Sequence, residues 1–387
     1  MHKILCLNKI SPIGTDRLGA NYEFSTEMQN PEGILVRSAA MHDMDLPEEL
    51  LAIARAGAGV NNIPIPKCSE KGIVVFNTPG ANANAVKELV LAALFMTSRK
   101  IIPAIDWAKT LKGNGKEVSK MVEKGKGAFA GPEIMGKKLG VIGLGAIGVL
   151  VANAAHSLGM QVYGYDPFLS VDAAWHLSSS VEKAASMDAI FANCDYITVH
   201  VPLNDSTRGL IGADALVKMK NGVRILNFSR GELVDTAAIL PALADGKVAA
   251  YATDFPDDPL IGVENVLAIP HLGASTPESE DNCAVMAVDQ MKEYLENGNI
   301  TNSVNFPAIS MPRSGHVRIC IAHRNIPNTI GSFAAVCGEE NINIENMLSK
   351  SRGDWAYTIL DVSGNICPTI TEKLNALDAV VRARVIL

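Results

Sequence analysis

Lys138-Leu139-Gly140-Val141-Ile142-Gly143-Leu144-Gly145-Ala146-Ile147-Gly148 is the stretch on which the fold turns. A short apolar run passes through glycines spaced G-x-G-x-x-G into residues 146–158, an apolar segment that reads as a helix. Glycines there allow a tight turn, the close approach of backbone to a pyrophosphate, and close packing of helix on strand. The helix N-terminus adds free N–H groups and a positive dipole. Glycines also close ordinary turns, so context decides. The next apolar run, residues 161–165, ends in Asp166, close to the spacing of roughly 20 residues at which a dinucleotide fold sets a carboxylate on ribose hydroxyls. Such a carboxylate repels a 2'-phosphate and so favours NAD over NADP. The other use of Asp166, as a cap ahead of Pro167, accords less well with the whole βαβ context.

Downstream the alternation continues with apolar runs at 196–200, 224–228, 249–253 and 266–269, separated by helix-length connections. Together these make six strands of a doubly wound sheet. Upstream, residues 3–7, 33–37, 52–56 and 73–76 give a second parallel series. Residues 83–99 hold no internal Gly or Pro and read as one long helix linking two domains, while 109–126 is polar, rich in Gly and Lys, and reads as solvated surface. A helix begun near Pro277 ends at Asn297-Gly298-Asn299, and the stretch 306–314 with Pro307 and Pro312 resembles a linker. From His316 to Leu387 the pattern is β-α-β-β-α-β, the ferredoxin-like unit. The expected fold is α/β: two Rossmann-like doubly wound parallel-sheet domains plus a C-terminal ferredoxin-like βαββαβ domain. Their expected boundaries are 1–99 with 278–305, 100–277, and 316–387.

At 387 residues, with 48% hydrophobic and 19% charged, the chain is too long for one core and too apolar for disorder. A net charge of -7 without a dense basic run argues against nucleic acid and against a membrane surface. Seven cysteines, Cys6, Cys68, Cys194, Cys283, Cys320, Cys337 and Cys367, form no C-x-x-C pair, which suits a reducing cytoplasm and no disulfide framework. The start of the chain does not read as a signal peptide, no run is long enough for a membrane span, and the eight scattered histidines suggest no metal site.

Three polar islands follow the later strands, where open α/β sheets bind ligands. They are residues 227–235 with Arg230, residues 254–259 with Asp254 and Asp258, and residues 270–276 with His271. An Arg that grips a carboxylate, a His that moves a hydroxyl proton near neutral pH, and a carboxylate that holds the imidazolium are what oxidation of a hydroxy acid requires. Singly, Arg230 could be a surface ion pair, Asp258 a turn residue and His271 a cap. Their joint placement favours chemistry.

With these motifs in order, joined by Val36-Arg37-Ser38, Arg55-Ala56-Gly57-Ala58-Gly59-Val60-Asn61-Asn62 and Asn77-Thr78-Pro79-Gly80, the chain resembles the D-2-hydroxyacid dehydrogenases over essentially its whole length. Within that family it is most similar to members that act on a phosphorylated 2-hydroxy acid and open serine biosynthesis. The resemblance implies NAD as cofactor, held by Gly143, Gly145, Ala146, Ile147, Gly148, Asp166, His200, Pro202, Thr207, Asp254, Gly273 and Ala274. It implies Arg230, Asp258 and His271 as the catalytic set, and Arg37, Ser38, Arg55, Gly59 and Asn61 as substrate-binding residues. Two positions depart from the family. Asp258 stands where Glu is usual, with Asp257 as the alternative, and Asp254 meets the nicotinamide amide only with a one-residue gap, Thr253 taking that place without it. One Arg cannot neutralise both ends of a phosphorylated acid, so Arg37 and Arg55 are the extra cations, or else ordinary surface arginines.

The C-terminal unit resembles an ACT module, which implies an L-serine effector held by His323, Asn325 and Asn343, with Asn328 taking the left-handed backbone a glycine often supplies there. A module that only mediates assembly is the alternative. A homo-oligomer, dimer or tetramer, is implied too, as is a cleft between domains that closes to exclude water. The competing functions are a reductase for glyoxylate or another 2-oxo acid, and a non-catalytic dinucleotide-binding corepressor.

Overall fold

A computed structural model of the chain describes residues 1–314, 317–364 and 369–387; His316 and Cys367 lie outside them. In chain order the strands are β1 (His2–Cys6), β2 (Tyr22–Ser25), β3 (Gly33–Val36), β4 (Ala52–Arg55), β5 (Val74–Phe76), β6 (Lys138–Ile142), β7 (Gln161–Tyr165), β8 (Glu182–Lys183), β9 (Tyr196–Val199), β10 (Val223–Asn227), β11 (Val248–Thr253), β12 (Val266–Ala268), β13 (Val317–Arg324), β14 (Asn343–Arg352), β15 (Trp355–Ser363) and β16 (Val380–Ile386). The chain divides into two compact units, Ala83–Thr276 and Met1–Asn82 with Pro277–Leu387.

The unit Ala83–Thr276 is a seven-stranded sheet in the order β12-β11-β10-β9-β6-β7-β8, parallel throughout. The six expected strands are all present within a residue or two of their expected ends. The seventh, β8, is two exposed residues with no apolar run to betray it. Chain direction across the sheet reverses between β6 and β9, the point at which such sheets bind ligands. The helix Ala83–Ser98 belongs to this unit, which moves the boundary expected at 99/100 to Asn82/Ala83. The cause is packing: Val90, Ala93 and Leu94 are fully buried in one core with Leu139, Val141 and Leu226, and Ser98 shares a buried 2.7 Å hydrogen bond with Tyr196. Beyond it come the helix Ile101–Thr110 and, within the polar stretch 109–126, the helix Val118–Gly125, neither of which buries a residue. The polar stretch is solvated, as expected, but regular.

The other unit holds two sheets. The first, β2-β1-β3-β4-β5, is parallel. Its edge strand β2 was not expected, because only Tyr22 of its four residues is buried and no apolar run marks it. The helix Pro277–Asn297 covers this sheet with Ala284, Ala287, Val288 and Met291. The second sheet, β14-β15-β13-β16, is antiparallel, the ferredoxin-like order, with the helices Thr329–Glu339 and Ile370–Asn375 packed on one face around Ile319, Ile321, Phe333 and Leu360.

This C-terminal module, expected at 316–387, shares a core with the first sheet of its unit. Its other face contributes Cys320, Ala322, Tyr357 and Ile359 to the same core as Ile4, Phe76 and Tyr294. Arginines of the module donate to main-chain carbonyls of the first fold: Arg352 to Ser303, Arg382 to Glu48 and Leu50, and Arg384 to Tyr294 and Leu295. Arg318 donates to Asn297, Met311 and Pro312 while forming a fully buried pair with Asp361.

Candidate active site

The glycine loop after β6 is built by sterics. Gly143 has φ +91°, and a Cβ there would lie 2.5 Å from the His200 carbonyl oxygen; a Cβ on Gly148 would lie 1.9 Å from the Gly143 oxygen. Gly145 faces open space and caps the helix Ala146–Ser157, whose first residues Ala146 and Ile147 carry the free N–H groups. Asp166, at the end of β7, accepts from Leu144 N and Phe168 N, both at 2.8 Å, and so ties the second strand's carboxylate to the glycine loop.

His200 follows β9, with Nε2 3.0 Å from Thr198 Oγ1 and Nδ1 buried without a partner. Burial pushes its pKa down to about 4, so the ring is neutral near pH 7. Thr207 Oγ1 donates to the Pro202 carbonyl at 2.7 Å, fixing the loop that contains both residues.

Beyond β10, Asn227 is fully buried; its Nδ2 donates to the Arg230 carbonyl at 2.8 Å and its Oδ1 accepts from Ser229 N at 3.2 Å. The Arg230 guanidinium lies 5.7 Å from the Phe255 ring centroid, and the His271 ring lies 4.4 Å from the same ring. Arg230 and His271 are therefore brought together around Phe255. Asp254 is buried, with Oδ2 accepting from Gly273 N at 3.3 Å and Oδ1 without a partner. Burial raises its pKa, against the opposing pull of His271, the Gly273 N–H and Arg230. Thr253 turns away: its Oγ1 accepts from Phe255 N at 3.1 Å, so of the two positions left open Asp254 is the one aimed at Gly273. Ala274 follows, half-buried.

Asp258 forms no ion pair with His271. It is exposed at the first position of the short 3-10 turn Asp258–Leu260, and no carboxylate among the described residues forms an ion pair with the imidazole. Asp257 does no better, since its Oδ2 accepts from Thr236 Oγ1 at 2.6 Å.

In the other unit, Arg37 and Ser38 follow β3, Arg55 ends β4, and Gly59 and Asn61 lie in the loop beyond it. Asn8 Oδ1 accepts from the backbone N–H groups of Arg37, Ser38 and Ala39 at 2.9, 3.0 and 3.1 Å, and Arg55 Nε donates to the Arg37 carbonyl at 3.0 Å. Arg37 pairs with Glu280 at 2.7 Å, both half-exposed. The Asn61 carbonyl accepts from His42 Nε2 at 2.8 Å. Asn8, Asn227 and Phe255 were given no role from the sequence, although Asn227 and Phe255 lie within the polar islands 227–235 and 254–259.

In the C-terminal module, Asn328 is left-handed at φ +69°, as expected, and caps the helix Thr329–Glu339. A pocket of about 230 Å³ is lined by His323, Asn325, Asn328, Thr329, Ser349 and Lys350 among others. Both His323 ring nitrogens are engaged, by the Arg324 carbonyl and Thr358 Oγ1, and Asn343 sits elsewhere, donating to Glu345. Of the three expected effector residues, then, Asn343 is not part of its own chain's pocket.

Residues 91–273 match the family model described as D-isomer specific 2-hydroxyacid dehydrogenase, NAD binding domain. The D-3-phosphoglycerate dehydrogenase of Haemophilus influenzae is 32% identical over 350 residues, which is 87% of this chain and 82% of that protein. The chain belongs to the D-isomer-specific 2-hydroxyacid dehydrogenase family. The human D-3-phosphoglycerate dehydrogenase is 36% identical over 305 residues, 76% of this chain but 55% of that protein, so this dehydrogenase-family chain spans little more than half of that relative's length. Among solved structures, NAD+-bound 3-phosphoglycerate dehydrogenase from Entamoeba histolytica has 25% identity and a TM-score of 0.59, covering 79% of this chain and 98% of that one. A glyoxylate reductase from Paecilomyes thermophila, 24% identical with a TM-score of 0.65 over 79% of this chain and 98% of its own, shares the fold. No helix of the described residues is long and apolar enough to cross a membrane, and no group of three or more His, Cys, Asp or Glu among them could hold a metal ion.

Proposed function

We propose that the chain is an NAD-dependent dehydrogenase that oxidises D-3-phosphoglycerate to 3-phosphohydroxypyruvate, the first step of L-serine biosynthesis. The observation that carries the reading is the meeting of Arg230 and His271 on one aromatic ring beside the buried carboxylate of Asp254, on the sheet that also bears the glycine loop. The residues suit a dinucleotide: a backbone cradle closed to any side chain at Gly148, a carboxylate at the second strand end, and a buried acceptor, Asp254 Oδ1, suited to a carboxamide N–H. Bound NAD would supply the hydride acceptor. His271 takes the C2 hydroxyl proton, Arg230 grips the substrate carboxylate, and Arg37 and Arg55 supply charge for the phosphate. Initial rates across phosphorylated and unphosphorylated acids test this. Turnover confined to glyoxylate and similar 2-oxo acids would make the chain a reductase of another acid, and NAD binding without turnover would make it a corepressor-like protein.

Asp166 directs the cofactor choice. A 2'-phosphate placed against a carboxylate is repelled, so kcat/KM is expected to be higher with NAD than with NADP. Equal or better use of NADP by the native chain removes Asp166 from that role.

L-Serine as effector belongs to the same reading. The pocket beside Asn325 offers amide, hydroxyl and ammonium groups suited to a zwitterion, and the shared core and arginine bonds give its strands a direct path to the first fold. The rate is expected to fall with L-serine and not D-serine, and the effect to vanish in Asn325→Ala; no rate effect and no calorimetric binding would leave the module to assembly. Assembly as a homo-oligomer is in keeping with the helix Ile101–Thr110, which buries nothing within the chain while exposing Ile101, Ile102 and Ile105.

A further inference from the structure

We infer that Phe255 is a positioning residue for the reacting pair, an inference that rests on the dehydrogenase reading above. His271 is exposed and forms no ion pair with a carboxylate among the described residues, the Asp254 carboxylate acting on it only through its charge. What touches it is the Phe255 ring, with centroids 4.4 Å apart and planes at 45°. The same ring receives the Arg230 guanidinium at 5.7 Å. The reacting imidazole and guanidinium thus take their orientation from one aromatic surface.

Phe255 is itself fixed. Its N–H donates to Thr253 Oγ1 at 3.1 Å, and Gly231, directly after Arg230, lets the two loops close together, because a Cβ there would lie 3.2 Å from the Phe255 carbonyl oxygen and 3.3 Å from its Cβ. An aromatic face limits imidazole rotation. In this chain the ring is the contact that holds the imidazole, to which Asp258 forms no ion pair. Misplacing a reacting group by an ångström costs rate far more than it costs binding.

The test compares Phe255→Leu and Phe255→Tyr with the native chain in kinetics and in histidine-resolved NMR spectra at one fixed pH, with NAD affinity confirming that each variant is folded. Phe255→Leu should lower kcat about ten-fold with KM changed less than about three-fold. It should also abolish the ring-current shift of His271. Phe255→Tyr, which keeps the face, should restore kcat and the ring-current shift. Native-like kcat in Phe255→Leu overturns the inference alone, whether or not the ring-current shift is lost. A loss of kcat that Phe255→Tyr fails to restore also overturns it, since the face would not be what matters. A native chain that turns over no hydroxy acid removes the dehydrogenase reading and this inference with it, a result separable from the others because it appears before any substitution.

Discussion

His271→Ala is expected to lower kcat by about 10²- to 10⁴-fold while leaving NAD affinity near native, the range typical for loss of a positioned acid-base group. The argument is geometric. His271 follows β12 at the carboxyl edge of the sheet, its ring is held beside Arg230 by Phe255, and it faces Asp254 without being bonded to it. The other histidine nearby, His200, is burdened by burial and neutral down to about pH 4, so it cannot replace His271 as a proton carrier that cycles near pH 7. Arg230→Ala should raise KM and lower kcat together, since the guanidinium both holds the carboxylate and sets the carbonyl's direction. Asp258→Asn should cost less than either, because its exposed carboxylate forms no ion pair with the imidazole. Single-turnover kinetics with NAD binding measured separately decides the matter. Near-native turnover in His271→Ala moves the base to another residue.

Asp361→Asn is expected to destabilise the chain by about 3–5 kcal/mol, the usual cost of leaving one charge of a buried pair uncompensated. Both side chains of the Arg318–Asp361 pair are fully buried, at 0% exposure. The bond is bidentate, at 2.7 and 3.0 Å, and Ser314 Oγ adds a third donor to Asp361 at 2.8 Å. The remaining guanidinium N–H groups reach the carbonyls of Asn297, Met311 and Pro312, so the loss should spread through the linker into the first fold rather than stay in the module. Burial by itself would raise the Asp361 pKa, but the bonds from Arg318 and Ser314 outweigh it and hold the carboxyl below its usual range. A carboxyl depressed in the folded state contributes stability that is present above its unfolded value of about 3.9 and is lost as pH falls through the lower folded value. The native chain should lose this contribution only in that acid window, and Asp361→Asn should lack that part of the pH dependence. Urea midpoints at pH 7 and through the acid range measure both. An unchanged midpoint at pH 7 would mean the pair breaks even against its desolvation, and Arg318→Met with Asp361→Leu should then be neutral as well.

The parts legible in the sequence are those whose physics is local. The glycine loop could be read because Gly143 needs a backbone that side chains resist and Gly148 has no room for one, constraints that act within a few residues. The parallel strands could be read because strands buried on both faces are continuous apolar runs, and Asn328 because a left-handed cap admits few residue types. Edge strands β2 and β8, with little to bury, left no such run.

Tertiary structure alone decided the rest, since it depends on which distant surfaces meet. The assignment of the helix Ala83–Ser98 follows from the core its apolar face enters, and the fusion of the C-terminal sheet with the first fold follows from arginines whose acceptors are carbonyls, groups every residue carries and no sequence distinguishes. Asp258 occupies the expected place in the motif yet forms no ion pair with His271, and whether a loop carboxylate meets its partner is set by packing rather than by spacing. Asn8, Asn227 and Phe255 act through contacts to backbone and ring faces, and an ordinary polar or aromatic residue becomes part of a site only when folding sets it there.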